Sequence, residues 1–257
     1  MEYIVICTVA FIASILTFFS GFGLGTILLP VFALFFPVDV AIALTGIVHF
    51  FNNIFKLGLV GQNANKNVLL YFGIPAVVSA FIGAFVLIQI SDKQAWYSYT
   101  INNHLFEITP VKLIISIILI VFAIIELLPW IKKLKFDKKH LPFGGILSGF
   151  FGGLSGHQGA LRTAFLINAG LTKEAFIATA VVISCFVDFT RLSVYASRFK
   201  DTELGDQLPL LISATLAAII GAILGNRLLK KVTLDFIQKL VAVLLILISV
   251  ALGIGLI

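Results

Sequence analysis

The chain has 257 residues, of which 60% are hydrophobic and only 12% are charged, and its formal net charge is +6. Soluble domains carry roughly 25% charged residues, so this composition excludes a water-soluble globular protein and predicts a chain that crosses a membrane several times. The basic residues lie in short connections between apolar runs, above all at 131–140, which is typical of cytoplasmic membrane loops and excludes a nucleic-acid-binding face.

The first apolar segment is too long for one ordinary membrane helix. It runs from Glu2 to Phe36 and is interrupted by the glycine-rich sequence SGFGLGT at 20–26. Its beginning lacks the basic region and the cleavage site of a signal peptide, so we expect it to belong to the mature protein. After the interruption we expect a half-helix over Thr26–Phe36.

Several later runs are each long enough, at about 20 residues, to span the membrane as one helix. They are Val40–Val60, Val68–Ile90, Val111–Pro129, Ala175–Ala196, Leu208–Leu229 and Phe236–Ile257. Between them, Leu141–Ala169 is a second interrupted segment, broken by GGLSGHQG at 152–159, with a half-helix expected over Ala160–Ala169. The predicted fold class is therefore an all-α polytopic membrane protein.

The two interrupted segments occupy corresponding places in the chain. One constant shift lays Gly25 on Gly159 and Thr45 on Thr179, and one residue more lays Gly21 on Gly156. We therefore predict two repeats, at 1–130 and 140–257, joined by a basic cytoplasmic linker at 131–139. Each repeat is a glycine-broken segment followed by three transmembrane helices.

The broken segments could cross the membrane fully or enter and return on one side. The second arrangement places more of the loop Lys and Arg residues in the cytoplasm, which the positive-inside rule favours. It gives each repeat an odd number of full spans, so the predicted repeats are inverted. The protein is expected in the cell (inner or plasma) membrane, with the lipid bilayer as its surroundings; its oligomeric state is left open.

Glycine-rich backbone within a membrane is tolerated where it lines a protein cavity, and a helix that resumes there points its amides and positive dipole end at that cavity. Paired interruptions of this kind indicate the binding site of a transporter. We expect Gly25 and Gly159 to be breaks that need a positive φ. The predicted substrate-binding residues are Gly21, Gly23, Gly25, Thr26, Thr45, Asn52, Asn53, Gly156, His157, Gln158, Gly159, Arg162 and Thr179.

Some glycines have a simpler explanation, because small residues let membrane helices pack closely. We favour that explanation for the spaced glycines of GILSG and GAILG, which are Gly145, Gly149, Gly221 and Gly225.

The charged residues inside the apolar segments need partners, because a buried charge in a membrane is costly. Arg162 could hold an oxyanion by a forked contact, form an ion pair with Asp188, or extend to the membrane interface. Asp188 and Arg191 are spaced to pair on one helix face, and Asp188 could also take up a proton during a transport cycle. Lys56 is expected to extend to the cytoplasmic surface, and His49 to be a packed or hydrogen-bonded core residue.

Asn52 and Asn53 could line the pathway or join helices by hydrogen bonds. The chain contains no metal-ligand cluster, nucleophilic triad or phosphate loop, so we predict neither an enzyme nor a metal or other cofactor.

The sequences SGFGLGTILLPVF followed by VAIALTG, and GLSGHQGALRTAFL followed by AFIATA, resemble the sulfite exporter TauE/SafE family, also called the toluene-sulfonate uptake permease family. The resemblance covers nearly the whole chain. It implies a secondary transporter of a small sulfur-containing anion such as sulfite, a sulfonate or sulfoacetate, with export as the expected direction.

An importer or channel for another small anion, and a membrane-embedded enzyme, are the alternatives. Without a nucleotide-binding motif, pumping would draw on a proton, sodium or substrate gradient.

Overall fold

A computed structural model describes residues 1–17, 23–128, 136–199, 207–228 and 234–257. The helices in these residues are α1 (Glu2–Thr17), α2 (Leu24–Ala33), α3 (Val38–Val60), α4 (Lys66–Val68), α5 (Ile74–Ser91), α6 (Pro110–Leu127), α7 (Leu141–Ser155), α8 (Gly159–Leu166), α9 (Lys173–Phe199), α10 (Leu208–Leu228) and α11 (Leu234–Gly253). A π turn over Leu69–Gly73 joins α4 to α5. Most of the predicted linker at 131–139 lies outside the described residues.

Four helical stretches in the described residues are long and apolar enough to cross a membrane. They are Val38–Asn63, Lys66–Ser91, Lys173–Ser197 and Leu208–Gly225. Shorter apolar helices accompany them, including α1, α2 and most of α6. Because a helix satisfies its own backbone hydrogen bonds, this is the architecture that a bilayer permits for such a chain. The prediction of an all-α polytopic membrane protein is confirmed.

The connection between α5 and α6 carries a β-hairpin that the apolar pattern did not predict. Strand β1 (Tyr97–Ile101) pairs antiparallel with β2 (His104–Ile108). Both turn residues between them, Asn102 and Asn103, adopt positive φ, which suits a two-residue hairpin turn. The Tyr99 hydroxyl donates to the carbonyl oxygen of Ile254 at 2.5 Å, so the hairpin is fastened to the end of α11.

Glycines bring several helices into backbone contact, which confirms the packing prediction for Gly145, Gly149 and Gly221. A Cβ added to Gly145 or Gly149 of α7 would lie 2.3 or 2.0 Å from the carbonyl oxygen of Phe72 or Ala76, respectively. A Cβ added to Gly221 of α10 would lie 2.4 Å from a carbonyl oxygen of α1. Such distances leave no room for a side chain, so these glycines are required for packing.

The helices pair across the two predicted repeats. Helix α1 packs on α10 and α5 packs on α7, while α3 packs on α9 and α6 packs on α11. In the predicted repeats, α1 corresponds to α7, α3 to α9, α5 to α10 and α6 to α11. The α1–α10 contact is then equivalent to the α5–α7 contact, and the α3–α9 and α6–α11 contacts each join a helix to its own counterpart. The division into repeats and their inverted orientation stay predictions.

The second broken segment forms a hairpin of two helices. The position of an added Cβ at Gly144, near the beginning of α7, lies 2.3 Å from the ring of Phe165, near the end of α8. After α8, Gly170 lies beside the side chain of Lys138, which precedes α7. Helix α8 therefore runs antiparallel to α7, and the chain that follows α8 lies near the N-terminal end of α7. In the first broken segment, residues 18–22 lie outside the described part of the chain.

Candidate functional site

The two breaks contain glycines with left-handed backbone. Gly23, which precedes α2, has φ 114°, and Gly156, which follows α7, has φ 80°. A left-handed glycine ends a helix without a steric penalty, which explains why α7 stops at Ser155. The prediction that Gly25 and Gly159 adopt positive φ is wrong, because both lie inside helices.

The half-helices also differ slightly from prediction. Helix α2 begins at Leu24 and ends at Ala33, whereas Thr26–Phe36 was expected; α8 is Gly159–Leu166, whereas Ala160–Ala169 was expected. Each begins earlier because helical backbone resumes soon after the left-handed glycine.

Arg191 of α9 lies against two glycines. A Cβ added to Gly156 would lie 2.8 Å from Arg191 Nη1, and one added to Gly46 of α3 would lie 3.2 Å from Arg191 Cζ. Gly156 is therefore required both by its backbone conformation and by the guanidinium group. This contact places Arg191 at the second break and against α3.

Asp188 is the centre of a buried polar cluster in the middle of α9. Its Oδ2 lies 2.6 Å from Nδ1 of His49 in α3. Its Oδ1 accepts hydrogen bonds from Gln158 Nε2 at 3.1 Å and from Arg191 Nε at 3.0 Å, and Arg191 Nη2 lies 2.9 Å away. The predicted pair of Asp188 and Arg191 is thus formed, and the carboxylate joins α3, the second break and α9.

Arg162 reaches the same cluster from α8. Its Nη1 donates to Gln158 Oε1 at 3.1 Å and to Ser184 Oγ at 2.6 Å. Since the amide of Gln158 also donates to Asp188, Gln158 links the guanidinium of Arg162 to the carboxylate. The ion pairs of Asp188 that the structure shows are with Arg191 and His49.

The cluster region carries an excess of positive charge. Lys56, Arg162, Arg191 and Asp188 are all buried, with exposures of 8%, 1%, 1% and 0%. The expectation that Lys56 extends to the surface is therefore wrong, because its side chain is enclosed by the protein. Among the described side chains this sets three buried cations against one buried carboxylate. An excess of this kind within a membrane protein favours binding of an anion.

Hydrogen-bond donors lie unused beside both breaks. Among the described residues, Thr45 Oγ1, Asn52 Nδ2 and Arg191 Nη1 are buried and have no hydrogen-bond partner. Thr45 lies next to the first break, where a Cβ added to Gly25 would meet its methyl group at 3.8 Å. Buried donors without a partner are costly, so these atoms indicate a place where a ligand could accept hydrogen bonds.

The two asparagines of α3 take different partners. Asn53 Nδ2 lies 3.1 and 3.3 Å from the ring nitrogens of His49, which places Asn53 in the cluster. Asn52 Oδ1 accepts a hydrogen bond of 3.4 Å from Ser14 Oγ of α1. Asn52 therefore joins two helices and also presents an unused amide.

Other predicted site residues lie outside these contacts. The Thr179 hydroxyl accepts a hydrogen bond of 2.8 Å from the backbone of Asn65, in the connection between α3 and α4. The His157 ring stacks on Phe122 with centroids 5.8 Å apart. Thr26 is buried within α2. Gly21 lies outside the described residues.

The prediction that His49 is a packed or hydrogen-bonded core residue is confirmed, because it is buried and contacts Asp188 and Asn53. Ser184 and Gly46 are not among the predicted site residues, although Ser184 accepts a hydrogen bond from Arg162 and Gly46 lies against Arg191. A signal was present for Ser184, because it lies one turn before Asp188. Nothing in the sequence marked Gly46, whose role depends on a side chain of another helix.

The two kinds of glycine at the breaks should respond differently to alanine. Gly156→Ala should lower stability by about 2 kcal/mol and weaken anion binding, because alanine is strained at this φ and its Cβ meets Arg191. Gly25→Ala should stay close to wild type, because its methyl group would meet His49 at 3.6 Å, an ordinary contact. Melting temperature and anion affinity of both purified variants test this. Equal losses in the two variants would contradict the assignment.

One family model matches the chain. It is described as Sulfite exporter TauE/SafE and matches residues 6–252, so the match includes both breaks and the whole cluster. Neither a curated protein nor a solved structure gave a match.

Proposed function

The chain belongs to the sulfite exporter TauE/SafE family, and on this premise we propose that it exports a small sulfur-containing anion by secondary transport. We propose sulfite, a sulfonate or sulfoacetate as the substrate; the family description names sulfite, and guanidinium donors suit the oxygens of all three. Family membership implies a membrane transporter of sulfur-containing anions. The choice of anion and the outward direction are the parts we propose.

The observation that carries this proposal is the excess of buried positive charge beside the breaks. Arg162 and Arg191 are each 1% exposed, and Asp188 is the buried carboxylate that faces them. An oxyanion beside the guanidinium groups would add a second negative charge to the cluster. Guanidinium groups suit this role, because their planar donors match two oxygens of a sulfite or sulfonate group.

The substrate would lie between the two half-helices. Arg191 Nη1 is at the second break beside Gly156, and Thr45, whose Oγ1 has no hydrogen-bond partner, lies with its methyl group beside Gly25 at the first break. The first turns of α2 and α8 add backbone amides and the positive ends of two helix dipoles. An anion there would be held by donors from both predicted repeats, which is what alternating access around a fixed site requires.

Flux through proteoliposomes tests the proposal. Vesicles loaded with sulfite should release it faster when they contain the protein, and release should saturate with concentration. Sulfonate or thiosulfate loaded together with sulfite should compete for release, whereas a simple carboxylate should compete poorly. Protein-free vesicles are the control.

Other results of the flux assay would favour a different function or contradict the proposal. Flux that does not saturate would favour a channel, and conversion of the anion to another compound would favour an enzyme. Absence of flux and of binding for every sulfur anion would contradict the proposal.

A further inference from the structure

An open groove lies between α5 and α9 on the outside of the helix bundle. It has a volume of about 490 Å³ and runs beside the π turn and the first turns of α5. Leu70, Ile74 and Val78 line it on one side and are 56%, 56% and 59% exposed, and Phe186 of α9 lines it on the other and is 58% exposed. Apart from Lys66, the described residues that line the groove are apolar or glycine.

The π turn and a glycine shape this groove. In the turn, the Ile74 N–H donates to the carbonyl oxygen of Leu69, five residues earlier, and such turns are rare and frequent at functional sites. A Cβ added to Gly73 would lie 3.6 Å from Ile183 of α9. A side chain larger than that of alanine would therefore enter the space between the two helices, and Gly73 keeps the groove open.

The groove is separate from the buried polar cluster, although both use α9. Ile183 is 1% exposed and borders the groove, whereas the next residue, Ser184, accepts the hydrogen bond of Arg162. Successive residues of a helix point about 100° apart, because a turn contains 3.6 residues. A ligand in the groove would therefore contact a different face of α9 from the cluster.

Lys66 lies at one end of the groove, on the predicted cytoplasmic side. The backbone N–H of Asn65 donates to the Thr179 hydroxyl at 2.8 Å, which fastens the beginning of α4 to the second turn of α9. Shortly before α9, Gly170 lies beside Lys138 of the predicted cytoplasmic linker. The exposed Lys66 is therefore on the same side as the linker, at the end of a helical stretch that can cross the membrane.

The length and charge of the groove fit a phospholipid of one leaflet. A helix rises about 1.5 Å per residue, so the distance along the axis from Lys66 to Val78 is about 18 Å. The hydrocarbon core of a bilayer is about 30 Å thick, so one leaflet contributes about 15 Å. A phosphate at Lys66 would thus place an acyl chain along the apolar part of the groove. The cytoplasmic leaflet carries anionic lipids, which lysine attracts.

We propose that this groove binds one anionic phospholipid of the cytoplasmic leaflet, with its headgroup at Lys66 and an acyl chain between α5 and α9. The acyl chain packs on apolar side chains of both helices, so the bound lipid stabilises their contact. This site is distinct from the proposed anion site and does not depend on transport.

Lipid binding to the purified, delipidated full-length protein tests the inference. The probes are dioleoyl phosphatidylglycerol, which is anionic, and dioleoyl phosphatidylcholine, which is zwitterionic and has the same acyl chains. Native mass spectrometry counts the bound lipids, and the melting temperature reports stabilisation. The first phosphatidylglycerol should bind about fivefold more tightly than phosphatidylcholine, since one lysine at a membrane surface favours an anionic lipid by about this factor. Glycerol phosphate, which has no acyl chain, should not raise the melting temperature.

Two variants separate the headgroup contact from the acyl-chain contact. Lys66→Gln should bind both lipids with similar affinity, whereas Lys93→Gln, beyond the other end of α5 and also exposed, should keep the preference. Ile74→Trp fills the groove and should weaken binding of both lipids at least about tenfold, because two displaced methylenes already account for this factor. Ile82→Trp is its control, at a position of α5 beyond the groove that is 51% exposed.

Equal affinity of the wild type for the two phospholipids, or a preference that persists in Lys66→Gln, would overturn the inference. Unchanged lipid binding by Ile74→Trp would overturn it as well. Stabilisation by glycerol phosphate alone would also overturn it, because Lys66 would then belong to a site for free phosphate. If Ile74→Trp does not fold, the comparison of Lys66→Gln with Lys93→Gln decides by itself. None of these measurements involves anion transport, so a negative result would leave the proposed function unaffected.

Discussion

Replacing Arg162 with glutamine should lower the rate of anion transport by at least about 100-fold while the protein stays folded. The variant loses a buried charge and its hydrogen bond to Ser184, but glutamine can still bond to Gln158. Losing one charge-assisted contact to an oxyanion in a buried site costs about 3 kcal/mol, which corresponds to this factor. Arg162→Lys should retain only part of the activity, because an ammonium group cannot make a forked contact.

The test compares initial rates of sulfite efflux with melting temperatures for the same preparations. Lys93→Gln removes an exposed cation between α5 and β1 and is the control for a change of net charge. Full transport by Arg162→Gln would assign Arg162 to the packing of α8 on α9. A variant that fails to fold would assign it a structural role in the network of Gln158 and Asp188.

Replacing Asp188 with alanine should lower the free energy of unfolding by about 3–5 kcal/mol. The carboxylate accepts hydrogen bonds from Gln158 and Arg191 and contacts His49, and all are buried. Its removal strands a guanidinium with no buried counter-charge among the described side chains. We expect a strongly lowered melting temperature and little folded protein after extraction in detergent.

A double variant separates the cost of leaving Arg191 unpaired from the cost of losing the Asp188 side chain itself. Asp188→Leu combined with Arg191→Met removes both members of the ion pair and should recover part of the melting temperature, because Arg191 is no longer left as a buried charge without its partner. It should not recover transport. Glu174→Ala, in the first turn of α9 and exposed, is the control and should remain within about 0.5 kcal/mol of wild type. A stable Asp188→Ala protein would show that the cluster does not depend on this carboxylate.

The sequence by itself determined the class of protein, four of the six predicted single-helix spans, and the glycine-rich segments that contain the left-handed Gly23 and Gly156. These properties depend on local composition: apolar runs of about 20 residues form membrane helices, and a cluster of several glycines marks a segment in which a helix can end. Family membership was also readable, because the motifs around both breaks are contiguous in the chain. The pair of Asp188 and Arg191 was predictable for the same reason, since residues three apart share a helix face.

Only the tertiary structure decided which side chains meet. His49 and Asp188 are 139 residues apart, and their contact depends on how α3 and α9 are rotated about their axes and packed. The same packing buries Lys56 and directs Arg191 towards Gly46 and Gly156. The folded backbone is likewise left-handed at Gly23 and Gly156, and not at Gly25 and Gly159. The rotation of each helix about its axis cannot be read from a single sequence, because many rotations bury a similar apolar area. The few polar contacts that distinguish these rotations form only once the helices are assembled.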